Sequence, residues 1–264
     1  MEKGSEAGAH ILSGAVLEPS ALDELFPDWK NMGAPLKNEV TSDEFYFLTG
    51  AEKSVKLPHM LIPKPSHNNG NYIVSLGNVC RWMGEQAEAL GVEIYPGFAA
   101  SEVLFHDDGR VKGITPGDMG VSENGEQKGT YMAGMELHAK YTLFAEGCRG
   151  NLGKELISKC KLDEGKDPQH YGLGIKELWD VDPSVHREGK VMHGLGWPLS
   201  ESGSTGGWFL FHIVNNQVVL GLMTDLSYDN PHVSPFEEMQ RTKLNPVLKD
   251  VLAGGKRVSN VAAY

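Results

Sequence analysis

YTLFAEGCRG, residues 141–150, opens as an apolar run and closes in a glycine turn. Tyr141–Ala145 suits a buried strand, Glu146–Gly147 ends it, and a helix is expected from about Asn151 to Cys160. A strand that passes through a glycine turn into a helix is the repeating step of open α/β sheets. In such sheets ligands sit at the carboxyl ends of strands, and the helix start suits a phosphate-bearing ligand. An ordinary strand-to-helix turn leaves the same pattern, so the stretch defines a fold class before it defines a site.

A second small-residue cluster lies near the start of the chain, GAHILSGA at 8–15. Residues this small let backbone N–H groups approach a ligand closely, with His10 and Ser13 as polar handles; a surface loop has the same composition. Glycine is in excess throughout, 32 of 264 residues or about 12% against an average near 7%. There is no triplet repeat and only 14 prolines, which excludes collagen and low-complexity disorder.

Between and beyond these clusters the patterns alternate. A short helix is expected at 19–26, a short strand at 72–74, and a helix at 78–90 stopped by Gly91. A strand is expected at 92–95, followed by a hairpin of 102–105 with 111–114. The stretch 45–65 is apolar but carries Pro58, Pro63 and Pro65, so it is no regular helix. The second half reads as strands at 171–179, 191–197, 208–214 and 218–224, the last two joined at Asn215–Asn216. Ser234-Pro235-Phe236-Glu237 is a capping box and Asn245–Pro246 opens another helix, closed by Gly254–Gly255.

Charge and composition narrow the function. The chain holds 24 Lys+Arg against 35 Asp+Glu, a net charge of −11, and no basic block, which argues against nucleic acid. Cys80, Cys148 and Cys160 are odd in number and irregular in spacing, so neither a disulfide framework nor a metal site is expected. No nucleophile elbow, HExxH, P-loop or zinc spacing occurs, and no side chain is singled out as catalytic. No run of 18 apolar residues is present, and the first residues lack the layout of a signal or transit peptide.

Long blocks of the sequence resemble one family from end to end. GAHILSGAVLEP (8–19), ELFPDWK (24–30), NNGNYIVSLGNV (68–79) and WMGEQAEALGVEIYPGFAASEVLFHDDGRVKGI (82–114) carry the resemblance. It continues through ELHAKYTLFAEGCRG (136–150), GLGIKELW (172–179), GWPL (196–199), DNPHVSPF (229–236) and GGKR (254–257). The family is the electron transfer flavoprotein-ubiquinone oxidoreductases (electron-transferring-flavoprotein dehydrogenases).

The resemblance implies a mixed α/β fold: an incomplete glutathione-reductase-like FAD-binding domain with an inserted antiparallel-sheet ubiquinone-binding domain. It implies a partial FAD domain at 1–40 and 76–165, a ubiquinone-binding, membrane-facing domain at 41–75 and 166–245, and a return to the FAD domain at 246–264. The implied activity takes electrons from reduced electron transfer flavoprotein through FAD and a 4Fe-4S cluster and reduces ubiquinone in the respiratory chain. The implied location is the matrix face of the mitochondrial inner membrane, or the cytoplasmic face of the bacterial inner membrane.

Carried over residue by residue, Glu2 matches the acid that holds the adenosine ribose. Gly8, His10, Ser13, Gly14 and Ala15 match the loop along the flavin, and Val103 the backbone near adenine. Glu146, Gly147 and Gly150 match the strand end beside the adenosine, and Gly206–Gly207 the glycine pair near the quinone head group. A bulge at a strand start accounts for the same glycine pair. Phe45, Phe47, Leu48, Leu57, Met60, Leu61 and Ile62 match the segment that dips into one leaflet, with Lys53, Lys56 and Lys64 placed to snorkel. A buried hairpin is the alternative there.

Two family features fall outside the sequence: the opening GxGxxG turn for the FAD pyrophosphate and the cysteines of the iron–sulfur cluster, which needs four thiolates. The expectation is therefore an internal segment that binds FAD weakly alone and does not reduce quinone. A related flavoprotein of the geranylgeranyl-reductase kind, and an inactive truncated chain, are the competing readings.

Overall fold

The computed structural model describes residues 1–11 and 14–263. In chain order the elements are β1 Ala15–Leu17, α1 Ser20–Leu25, β2 Asn38–Glu39, β3 Ser42–Gly50, β4 Lys53–Leu57, β5 Tyr72–Val74 and α2 Leu76–Ala89. Next come β6 Ala100–Phe105, β7 Val111–Pro116, β8 Met119–Val121, β9 Gln127–Met132, β10 Leu137–His138 and α3 Asn151–Cys160. The chain finishes with β11 Gly172–Asp180, β12 Lys190–Gly196, β13 Gly206–His212, β14 Gln217–Asp225, α4 Pro235–Thr242, α5 Pro246–Leu252 and β15 Lys256–Ala263. They form two compact units, 1–10 with 83–169 and 11–82 with 170–264. Residues 11–40 and 246–264, expected on the flavin side, thus pack with the unit that holds the large sheet.

The larger unit is built on a seven-stranded sheet in the order β15-β11-β14-β13-β12-β3-β4. All neighbours are antiparallel except β12 and β3, which run parallel with His193 opposite Phe45. Because side chains alternate, each strand feeds two faces. Leu48, Met192, Trp208, Leu210, Leu220, Leu222 and Ile175 supply one face, which packs on Met239 of α4 and Leu248 and Leu252 of α5. Val191, Phe209, Phe211 and Val219 supply the other, which packs on Val40 and Ile73 beside the small sheet β1-β5-β2. A further cluster joins Leu22, Trp29, Leu36, Val79 and Trp82.

Local chemistry sets the ends of these elements. Ser234 caps α4 by accepting the Glu237 amide at 3.4 Å, and Asn245 caps α5 by accepting the Val247 amide at 3.1 Å. Asn215 and Asn216 turn the β13–β14 hairpin with φ of 60° and 55°, the left-handed pair that asparagine tolerates best. The proline-broken stretch 45–65 resolves into the β3–β4 hairpin and two short 3-10 turns, His59–Leu61 and Lys64–Ser66.

The smaller unit holds the sheet β10-β7-β6, the β8–β9 ribbon and α3. The fold-deciding stretch behaves differently from its pattern. Residues 141–145 form no strand, and Tyr141 and Leu143 are 89% and 93% exposed. A strand is an interaction between neighbours rather than a property of one segment, and none of the described strands pairs with this one. Residues 92–95 are likewise not a strand; only Pro96 makes an isolated parallel bridge with Glu2. The helix and hairpin expected around 151 and 106–109 are present as α3 and the β6–β7 turn.

Candidate functional sites

In the smaller unit a hollow of about 480 Å³ is lined by Glu2, His10, Thr142, Glu146, Arg149 and Gly150, among others. The backbone fixes Glu2 by donating to the Tyr95 carbonyl at 2.9 Å and accepting from the Phe98 amide at 3.1 Å. The Glu2 carboxylate accepts the Gly4 amide at 2.6 Å. Val103 is buried in β6 opposite Ile114, which also lines the hollow. Glu2, Glu146 and Gly150, expected at the adenosine, line this hollow together with His10, expected on the flavin-side loop, while Gly8 and Gly147 are not in its lining and serve left-handed turns at φ 81° and 78°.

Glu146 corrects one expectation. Its carboxylate accepts the Gly153 amide at 2.8 Å and the Leu152 amide at 3.4 Å, so it caps α3 from outside the helix. An acid at a helix N-terminus satisfies open donors and the macrodipole together. The α3 start is thereby filled by the chain's own anion and does not offer its amides to a phosphate. Gly150 follows from the same packing, since a Cβ there would lie 2.4 Å from the Glu146 Cβ.

In the larger unit the face of the sheet away from α4 and α5 carries two adjoining cavities. One, of about 370 Å³, is lined by Gly14, Ala15, Phe45, Lys176, His193 and Phe209, among others. The next, of about 430 Å³, shares Lys176, Phe209 and Met223 with it and includes Gly174 and Gly206. The register explains the lining, because Lys176, Gly221, Phe209, His193, Phe45 and Leu57 are consecutive partners across β11, β14, β13, β12, β3 and β4. Gly221 leaves room for the Phe209 ring, whose atoms a Cβ there would meet at 2.2 Å. Lys176 Nζ donates to the Gly14 carbonyl at 2.6 Å, tying the residue at φ 87° to the sheet. Burial lowers the pKa of Lys176.

Gly206 and Gly207 open β13. A Cβ at Gly206, where φ is 151°, would lie 2.0 Å from the Met223 carbonyl, and one at Gly207 2.8 Å from that of Gly194. Close strand approach thus requires both glycines whatever binds nearby. Ala15 enters β1, and Ser13 lies outside the described residues.

The apolar segment divides by strand parity. Phe47 is 42% exposed, and Met60 and Leu61 are exposed in the turn that follows β4. Phe45 and Leu57 are half-buried. Leu48 points the opposite way and is 1% exposed in the α4–α5 core, and Ile62 is buried, so neither presents a surface to lipid. Val55, Leu195 and Met223 are exposed with Phe47.

Four residues of this face escaped the sequence reading: Asp43, Lys176, His193 and Phe209. Their signal is the alternation within DEFYF and KVMHGL, but only strand pairing reveals that they meet.

The architecture recurs in solved proteins of widely different sequence. The fold matches a geranylgeranyl bacteriochlorophyll reductase-like protein from Thermoplasma acidophilum with a TM-score of 0.66 at 15% identity, over 99% of this chain and 58% of that one. It matches a flavoprotein/dehydrogenase from Cytophaga hutchinsonii with a TM-score of 0.59 at 13% identity, over 100% and 60%. Residues 171–263 match the family model described as ETF-QO, ubiquinone-binding. The chain is 63% identical over 259 residues to the probable electron transfer flavoprotein-ubiquinone oxidoreductase of Acinetobacter baylyi, covering 98% of this chain and 45% of that protein. It is 52% identical over 262 residues to the human mitochondrial electron transfer flavoprotein-ubiquinone oxidoreductase, covering 98% and 42%. Over the span it covers, the chain is similar throughout to electron transfer flavoprotein-ubiquinone oxidoreductases, and it spans about half the length of the curated relatives it matches.

Proposed function

We propose that this chain contributes the flavin-side and quinone-side parts of an oxidoreductase that takes electrons from reduced electron transfer flavoprotein through FAD and reduces ubiquinone to ubiquinol. The observation that carries the reading is identity of 52–63% over nearly the whole chain, which includes the loop ending at Gly14 and the sheet face beside it. FAD supplies the redox chemistry when bound. By the family resemblance Glu2, Val103, Glu146, Gly147 and Gly150 are assigned to its adenosine end, and Gly8, His10, Ser13, Gly14 and Ala15 to its flavin end. The hydroxyl-accepting carboxylate of Glu2 is the clearest match. The pyrophosphate lacks a partner in this sequence, which has no GxGxxG and whose α3 start is already capped by Glu146.

On the quinone side, Phe45, Phe209 and Phe211 wall the cavity against water, and Gly206 at the start of β13 lines the adjoining one, with Gly207 next to it in sequence. A 4Fe-4S cluster does not fit this chain, whose three cysteines are fewer than the four thiolates such a cluster takes. Phe47, Met60 and Leu61 are the side chains that would meet a membrane surface, with Phe45 and Leu57 behind them. That surface would be the matrix face of the mitochondrial inner membrane or the cytoplasmic face of a bacterial one.

The test is a chimera in which these 264 residues replace the matching segment of the Acinetobacter relative. Loaded with FAD, it is expected to reduce ubiquinone-1 when supplied with reduced electron transfer flavoprotein. The isolated chain is expected to retain little flavin absorbance after gel filtration. A flavin-loaded chimera that transfers no electrons to ubiquinone-1 refutes the reading.

A further inference from the structure

The face that carries the cavity also carries an unexplained line of titratable groups. His193 lies between aromatic rings, 6.4 Å from the Phe45 centroid and 5.3 Å from that of Phe211, and lines the cavity beside Gly14. Asp43 is its diagonal neighbour on the same face, since Asp43 pairs with Val191 and Phe45 with His193. The Asp43 side chain is 8% exposed and accepts the Asn68 amide at 2.9 Å and its Nδ2 at 3.2 Å. His59 Nε2 stands 3.6 Å from Asp43 Oδ2, and its side chain is 44% exposed. His67, whose ring centroid is 3.9 Å from that of His59, accompanies the exposed end. Lys176, and Asp225 in the adjoining cavity, are the other charged groups lining this face among the described residues.

A carboxylate buried in an apolar wall costs free energy unless something uses or pairs it. Here the groups line up: exposed His59 pairs with Asp43 at 3.6 Å, and Asp43 is the diagonal sheet neighbour of His193 in the cavity. We propose that His59, Asp43 and His193 deliver a proton from solvent to a quinone reduced in this cavity, with His193 as the donor to one of its carbonyl oxygens. The proposal rests on the function stated above. A quinone that gains two electrons from a reduced flavin must also gain two protons, one on each oxygen. His193 gives a ring N–H proton to the oxygen it faces and takes a replacement at its other nitrogen from the Asp43–His59 side, while the oxygen on the far side of the quinone ring takes its proton from solvent. Diagonal neighbours on a sheet lie about 7–8 Å apart, a gap that the relay needs a water to bridge. Burial lowers the pKa of His193, and the Asp43 charge works in the opposite direction, so Asp43 favours the ring's taking up a proton.

Two measurements test the relay. In the flavin-loaded chimera, the rate with ubiquinone-1 is divided by the rate with ferricyanide, an acceptor that takes no proton. His193→Gln is expected to lower this ratio about 100-fold, the usual scale of a lost general acid. His59→Gln, at the exposed end and safe for folding, is expected to lower it and to shift its pH profile. The second readout needs no flavin: in the isolated chain, Asp43→Asn is expected to lower the NMR titration midpoint of His193. A ratio unchanged in both His193→Gln and His59→Gln, or a His193 midpoint indifferent to Asp43→Asn, overturns the relay. A wild-type chimera inert toward ubiquinone-1 overturns the function beneath it.

Discussion

His212 shows how one buried ring writes a pH dependence into the molecule. It is 1% exposed, and its Nδ1 accepts the Arg187 amide at 3.1 Å, which assigns the proton to Nε2. Nε2 has no hydrogen-bond partner among the described residues. Burial first, then the charges of His186, Lys190 and Arg187, lowers its pKa to about 4. The folded state therefore binds fewer protons than the unfolded chain between pH 6.5 and 4. Stability is complete above 6.5 and falls as the pH drops toward 4. With about 1.4 kcal/mol per pH unit, the loss at pH 4.5 is about 2–3 kcal/mol. Urea unfolding of wild type and His212→Gln at pH 7 and pH 4.5 checks this, because the gap between them should narrow by that amount. Glu44 acts in a lower window. Burial alone would raise it, but Lys190, Lys56 and Tyr46 hold it down to about 2, so its contribution is present above pH 4.5 and lost below.

At the scale of elements, Glu177 joins three of them. It is 1% exposed on β11 and receives Lys243 at 2.9 Å from the end of α4, Arg257 at 3.2 Å from β15, and the Trp179 indole at 2.8 Å. Those partners overcome the desolvation that would otherwise raise its pKa. Removing it leaves Lys243, whose side chain is only 14% exposed, without its anion. Glu177→Ala is expected to cost about 3–5 kcal/mol in urea unfolding, the scale of a broken buried pair. Elements such as α4 and the β13–β14 hairpin were legible in sequence because Ser234, Pro235, Asn215 and Asn216 fix their ends locally. The parity of β3 was not: FYFL is apolar on both faces, so nothing in it tells that Phe47 faces out and Leu48 faces in. The site was half legible for the same reason. Glycine loops announce themselves, whereas Asp43 and His193 become neighbours only through the β3–β12 register, 150 residues apart in sequence.

The whole molecule is uneven in strength. The three clusters of buried apolar residues all belong to the larger unit. In the smaller one, Val103 and Leu152 are the fully buried large apolar side chains among the described residues. Local opening free energy follows buried contacts, so the smaller unit opens first. Brief chymotrypsin treatment at 25 °C is expected to cut after Tyr141 and Leu143 before any site in the seven-stranded sheet; first cleavage within 206–225 would contradict this.

The stretch 141–145 has a practical side as well. An exposed apolar segment that belongs to no strand is a template for a second copy of itself. Loss of soluble chain would then proceed by encounter between molecules, so storage life would shorten in proportion to concentration and hardly respond to the large sheet's stability. A single lysine in place of Leu143 would lengthen it at no expense to the core, because that side chain is already in water.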